Sequence, residues 1–107
     1  MATVAFAKST PSASTLTALR TVTAGKNLVG DLNVCNRATS AVTIRVSVND
    51  GAENYLEYDL SLRSSADGYG NSYRLSNIKL PASAILKVWS TGTATDFTLS
   101  YAEETAS

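Results

Sequence analysis

The chain has 107 residues, nine basic and nine acidic, with one cysteine and no histidine. That length sets a bound of one domain with a modest core, and the cancelled charge gives no long-range pull toward nucleic acid or an anionic membrane. The lone Cys35 excludes an intrachain disulfide, and the lack of histidine removes the usual general base and the commonest transition-metal ligand.

The start, Met1 to Lys8, has no basic region followed by a long apolar run, so the reading expects no secretion signal, no membrane span and folding in a reducing cytoplasm. Thr3 to Ala7 sets Val4 and Phe6 on one parity and predicts a first strand at or near a sheet edge. Lys8 to Ser14 is a polar break, and Pro11 cannot donate to a ladder, so it stays outside any central strand. Thr15 to Val22 reads as a second strand, in which the differing parity of Leu16 and Leu19 asks for a bulge or an early end. Thr23-Ala24-Gly25-Lys26 is a tight turn, with Gly25 free to take positive φ.

Asn27 to Val48 carries the clearest pattern. Leu28, Leu32 and Val34 share one parity, and Val42, Ile44, Val46 and Val48 share another across the polar Asn36–Ser40 connection. Alternation of this kind means one buried and one wet face. It predicts a half-buried antiparallel hairpin, with Asp31 and Arg45 within reach of each other across it. Asn49-Asp50-Gly51-Ala52 predicts a hairpin loop of three or five residues with Gly51 left-handed. Tyr55 to Leu62 then places Leu56, Tyr58, Leu60 and Leu62 inward and Glu57, Asp59 and Ser61 outward.

Arg63 to Asn71 holds two glycines and no aliphatic side chain beyond Ala, a structureless surface loop suited to contacts. In Ser72–Leu80 the parity of Tyr73 and Leu75 conflicts with that of Ile78 and Leu80, which predicts a bulge near Ser76-Asn77. Ile85–Trp89 reads as an interior strand, and Thr95–Tyr101 closes the fold with Phe97, Leu99 and Tyr101 aligned. Ala102–Ser107 reads as a frayed tail. The expected fold is all-β: one antiparallel sandwich of about eight strands over residues 1–107, jelly-roll-like, with an immunoglobulin-like sandwich as the alternative.

Few residues suggest chemistry. Glu57 and Asp59, with Glu53 nearby, are a carboxylate set of the kind glycoside hydrolysis or calcium would use, but on a regular strand they read as a solvated face. Asp50 and Asp67 lack the density of a calcium site, and Cys35 without a histidine reads as a small packed thiol. Gly68-Tyr69-Gly70 lacks the lysine and helix of a phosphate loop. Tyr55, Tyr69, Tyr73 and Trp89 can make a sugar-stacking platform, with Tyr69 the better exposed and Trp89 more often core. The reading is of no enzyme, no cofactor and no metal.

Three stretches carry a resemblance, in order, over nearly the whole chain. Leu19–Lys26 running into Leu32–Arg37, then Asn54–Leu60, then Leu80–Trp89 resemble the "TVPAGK…VCN", "YIEYD" and "L-x-A-x-x-x-L-x-V" segments of small structural proteins of tailed bacteriophages of marine and cyanobacterial hosts. Thr23 replaces the usual proline of the turn. The resemblance implies a β-sandwich subunit of the virion, assembled in the host cytoplasm, on the head, neck or tail. The leading expectation is a capsid decoration or cement protein, a homotrimer bound to the major capsid protein, without nucleic acid or membrane. A neck, tail or fibre-base protein is the runner-up, and a carbohydrate-binding module for host attachment is the alternative of a different class. Assembly through edges and loops makes residues 1–14 the candidate arm and Arg63–Asn71 the candidate contact loop. The candidate contact residues are Val4, Phe6, Lys8, Pro11, Arg63, Asp67 and Tyr69.

Overall fold

The computed structural model describes residues 4–105. Eight strands run in the order β1 (Ala5–Ser9), β2 (Thr17–Thr21), β3 (Lys26–Asn36), β4 (Val42–Asn49), β5 (Glu53–Leu62), β6 (Ser72–Leu80), β7 (Ile85–Ser90) and β8 (Thr95–Thr105). They form two four-stranded sheets, β1-β8-β3-β6 and β2-β7-β4-β5, that pack face to face. Strand β1 pairs with β8, β2 with β7, β3 with β6 and β4 with β5, all antiparallel. The chain is thus one long hairpin, β1–β4 against β5–β8, rolled over on itself. That is the jelly roll, and it decides against the immunoglobulin-like order.

The core is the inner face of both sheets. Leu28, Leu32 and Val34 of β3, Val42, Ile44 and Val46 of β4, Leu86 and Val88 of β7, and Phe97 and Leu99 of β8 are all buried. Each contributes about 1.5–3 kcal/mol by leaving water. These are the residues that share parity in the sequence, because a strand with one wet face has to present its apolar set to one side. Strand β7 lies between β2 and β4, as its near-continuous apolar run requires, and β1 is an edge.

The Asn27–Val48 pair is not a hairpin. Strands β3 and β4 belong to different sheets, and Arg37–Ala41 crosses between them. Alternation states which face is buried and is silent on which strand lies alongside. Asp31 accordingly pairs with Arg74 of β6 at 2.9 Å, and Arg45 with Asp59 of β5 at 2.7 Å. The loop after β4 is as expected: Asn49 pairs with Glu53 across three residues, with Gly51 at φ 123°. The expected irregularity in β2 falls at Leu19, between Ala18 and Arg20. The one in β6 falls at Ser76-Asn77, where Asn77 has φ 59° and donates its amide to Asp31 at 3.0 Å.

Four further expectations are corrected. Strand β8 continues through Ala102–Thr105, paired with Lys26–Val29 of β3, so those residues are not frayed; Glu103 pins them by accepting from Arg20 (2.6 Å) and the Thr23 amide (2.8 Å). Residues 5–9 of the candidate arm are a strand of the sheet, since their backbone finds partners along β8; residues 1–3 and 106–107 lie outside the described residues. Cys35 is exposed rather than packed, because it sits on the outer parity of β3 between the buried Val34 and Asn36. Arg63–Asn71 contains a 3₁₀ turn, Ser65–Asp67, capped by the Ser64 hydroxyl and ended by left-handed Gly68.

The largest correction is in β5. Between Ile44–Leu60 and Val46–Glu57, two β5 residues, Tyr58 and Asp59, oppose the single Arg45, and a second shift follows before Ser47–Tyr55. Asp59 takes φ 58° to make the first bulge. Leu60 and Leu62 stay inward, while Leu56 and Tyr58 emerge into solvent, Tyr58 at 59% exposure. Glu57 and Asp59 therefore do not share a face: Glu57 is half-buried and accepts from the Tyr73 hydroxyl at 3.3 Å, while Asp59 meets Arg45.

Candidate functional site

Three surfaces stand out, and each gathers residues singled out by the sequence. The first is the open side of β1. The inward Ala7 packs on the core, so alternation sends Val4, Phe6 and Lys8 to the outer face of the β1-β8-β3-β6 sheet. Val4 is 62% and Phe6 64% exposed, apolar surface left open among the described residues. Beside them, Gly30, Ser100 and Ala102 help to floor a shallow hollow of about 300 Å³. Pro11 does not belong to this surface. It is buried, which removes it as a contact residue, because the chain folds inward there between Thr10, bound to Asp96, and Ser14, bound to the Ser90 carbonyl.

The second is the loop end of the sandwich. Arg63 lies over the Tyr69 ring (4.5 Å to its centroid) and 3.3 Å from Asp67, so these three candidates do converge. Asn36 anchors this loop to the β3–β4 connection: its Nδ2 donates to the Ser40 and Arg63 carbonyls and its Oδ1 accepts from the Ala38 amide. Next to it, Arg37 and the Thr10 hydroxyl both donate to Asp96 and hold its carboxyl below the usual range, the guanidinium first. This end is tied together by hydrogen bonds, and Thr10 and Asp96 also line a shallow hollow with Lys8, Ser9, Phe97 and Thr98.

The third surface is the outer face of the β2-β7-β4-β5 sheet. Arg45 of β4 lies between Trp89 of β7 and Tyr58 of β5, its guanidinium carbon 4.1 and 4.3 Å from the two ring centroids. Tyr55 stands edge-on to Tyr58 at 4.9 Å. One row along, Glu53 accepts from Lys87 (2.6 Å), Asn49 and Ser47, which together lower its pKa to about 2. Sequence reading named Tyr55 and Trp89 but missed Arg45 and Tyr58. A signal for the first was present, since Arg45 lies on the wet parity of β4 and Trp89 shares parity with Lys87 rather than with Leu86 and Val88. Tyr73 is half-buried, its phenol pushed up by burial and then by Glu57, and it takes no part in this surface.

Among the described residues, no three of His, Cys, Asp and Glu group closely enough to hold a metal, and no helix is long and apolar enough to cross a membrane. Comparison of the chain with protein-family models, with curated proteins and with solved structures returned no match.

Proposed function

We propose that the protein is a structural subunit of a tailed-phage virion, a trimeric capsid decoration protein that binds the major capsid protein. The observation that carries the reading is the strip of Val4 and Phe6 on β1, exposed apolar side chains on a strand that pairs on one side only among the described residues. Such an edge accepts a partner by strand addition and apolar contact. The ordered sequence resemblance supplies the partner class. Jelly rolls recur in viral shell proteins, which adds support at the level of fold alone. Repetition on a shell makes a small interface sufficient, because avidity multiplies it. Arg63, Asp67 and Tyr69 form a second contact, lying at the loop end and available to a neighbouring copy.

The test has two parts. Quantitative mass spectrometry of purified virions is expected to give a copy number comparable to the major capsid protein or a simple fraction of it. A small multiple of three or six overturns the shell location in favour of neck or tail. Phe6→Ser is expected to change folding stability by no more than about 0.5 kcal/mol, as for an exposed site, while abolishing binding to particles stripped of this protein. Undiminished binding removes the β1 edge from the interface.

A further inference from the structure

The bulge in β5 decides which side chains the outer face of its sheet presents. A regular β5 would keep Tyr58 on the parity of Leu60 and Leu62, facing the core. The extra residue opposite Arg45 turns Tyr58 out instead, at the cost of a left-handed Asp59. L-residues pay for that conformation, Asp less than most, and such local strain gathers where a surface is being aimed. Here the result is a row across three strands: Tyr58 and Asp59 on β5, Arg45 on β4, Trp89 on β7.

The chemistry of the row points to one kind of ligand. Its rings offer apolar faces, Tyr58 being mostly exposed and Tyr55 42% exposed. Among the described residues only Asp59 accepts a hydrogen bond from Arg45, through Nε, and the terminal amines stay available as donors in the plane the rings hold. The second oxygen of Asp59 is an acceptor beside them. Donor and acceptor side by side next to a ring face match two adjacent hydroxyls of a pyranose whose C–H face stacks on the ring. The charge balance decides against an anion: Arg45 is paired with Asp59 and Lys87 with Glu53, at 2.7 and 2.6 Å. A phosphate or uronate would displace a carboxylate already in place, whereas an uncharged polyol needs no counter-charge.

We infer that the outer face of the β2-β7-β4-β5 sheet is a binding site for a neutral glycan, with a sugar ring stacked on Tyr58 and flanked by the edge-on Tyr55, and its hydroxyls bonded to Arg45 and Asp59. The site is on the opposite face of the sandwich from Val4 and Phe6. It does not rest on the capsid reading, and a subunit attached by one face leaves the other open.

Trp89 is the chain's one tryptophan, so its emission reports on this face alone. The experiment titrates the full chain, followed by Trp89 fluorescence, with gluco-, manno-, xylo- and N-acetylglucosamine oligosaccharides and with an oligouronate. Saturable change is expected with at least one neutral oligosaccharide. It should weaken about tenfold or more in Tyr58→Ala, the loss of one well-placed stacking ring, and persist in Tyr69→Ala. Circular dichroism checks the fold, and Tyr55→Ala carries the same expectation should Tyr58→Ala not fold. Silence toward every neutral sugar, a response to the oligouronate alone, or an unchanged response in folded Tyr58→Ala overturns the inference. So does loss of particle binding, without any sugar response, in that variant, which would make this face the capsid contact.

Discussion

Asn36 is the side chain whose removal should cost most for its size. It is fully buried at the end of β3, where the chain leaves one sheet for the other. Its Nδ2 donates to the Ser40 carbonyl at 2.9 Å and the Arg63 carbonyl at 3.0 Å, and its Oδ1 accepts from the Ala38 amide at 3.0 Å. Its main chain is tied to the same loop, the amide to the Asn71 carbonyl at 2.8 Å and the carbonyl to Asn71 Nδ2 at 3.2 Å. Asn36→Ala leaves two acceptors and one donor without partners. Each buried orphan costs about 1–3 kcal/mol, and water regains part of the loss where Ser40 and Arg63 reach the surface. The net expectation is about 2–4 kcal/mol, a large share of the ~5–15 kcal/mol that holds a domain of this kind together. In melting temperature that is a fall of roughly 10–20 °C. Urea titration followed by Trp89 fluorescence and by circular dichroism measures it, with Asn33→Ala on the exposed parity of β3 as control. Midpoints alike in the two variants would refute the view that this amide is the tie between the two loops.

Gly30 of β3 pairs with Tyr101 of the neighbouring β8, where an added Cβ would run into the Ser100 carbonyl oxygen and stand 2.9 Å from the Tyr101 Cβ. Backbone cannot step aside as a side chain can, so Gly30→Ala is expected to cost about 1–3 kcal/mol, read as a lower denaturation midpoint; a neutral result refutes the close approach. The pH dependence of stability should lie on the acid side, because the chain has no histidine. Glu53 protonates near 4.5 when unfolded and near about 2 when folded, held down by Lys87, then Asn49, then Ser47. Below pH 4.5 the unfolded chain therefore binds more protons than the folded one. The stabilisation is complete above that pH and is lost as pH falls through about 2. Glu53→Gln should flatten this limb, and a carboxyl titration by NMR that places Glu53 near 4.5 would overturn the assignment.

The interior was legible because it follows one rule. The inward sets of β3, β4, β7 and β8 are the residues that share parity, and burial leaves little choice about them. Connectivity between sheets was not legible. Leu28 to Val34 and Val42 to Val48 alternate the same way whether they pair or face each other across a core, so the Asn36–Ser40 stretch read as a turn rather than a crossover. The two bulges make the contrast sharper. In β6 the apolar parity breaks between Leu75 and Ile78, and the bulge could be placed at Ser76-Asn77. In β5 the run Leu56, Tyr58, Leu60, Leu62 never breaks parity, and so nothing in one sequence marks the insertion opposite Arg45. The edge position of β1 was legible, but the outward turn of Val4 and Phe6 was not, because their shared apolar parity alone would send them inward and it is the smaller Ala7 that packs on the core. Nor was Pro11, since its burial depends on how the chain turns beneath Asp96.

Each of these bulges has its left-handed residue beside an acid–base pair: Asn77 donates to Asp31, which holds Arg74, and Asp59 itself holds Arg45. The β6 bulge has a structural reason, because it brings Leu75 and Ile78 to the core together despite their mismatched parity. The β5 bulge has the opposite effect. It takes Leu56 and Tyr58 out of an apolar alternation and leaves them in water, and it puts Asp59 in a conformation its side chain disfavours. Folding alone would favour the regular strand, worth about 1.5–3 kcal/mol for each side chain returned to the core. The proposed glycan site accounts for a feature that costs stability on an outer face while bringing two rings, a guanidinium and a carboxylate into one row.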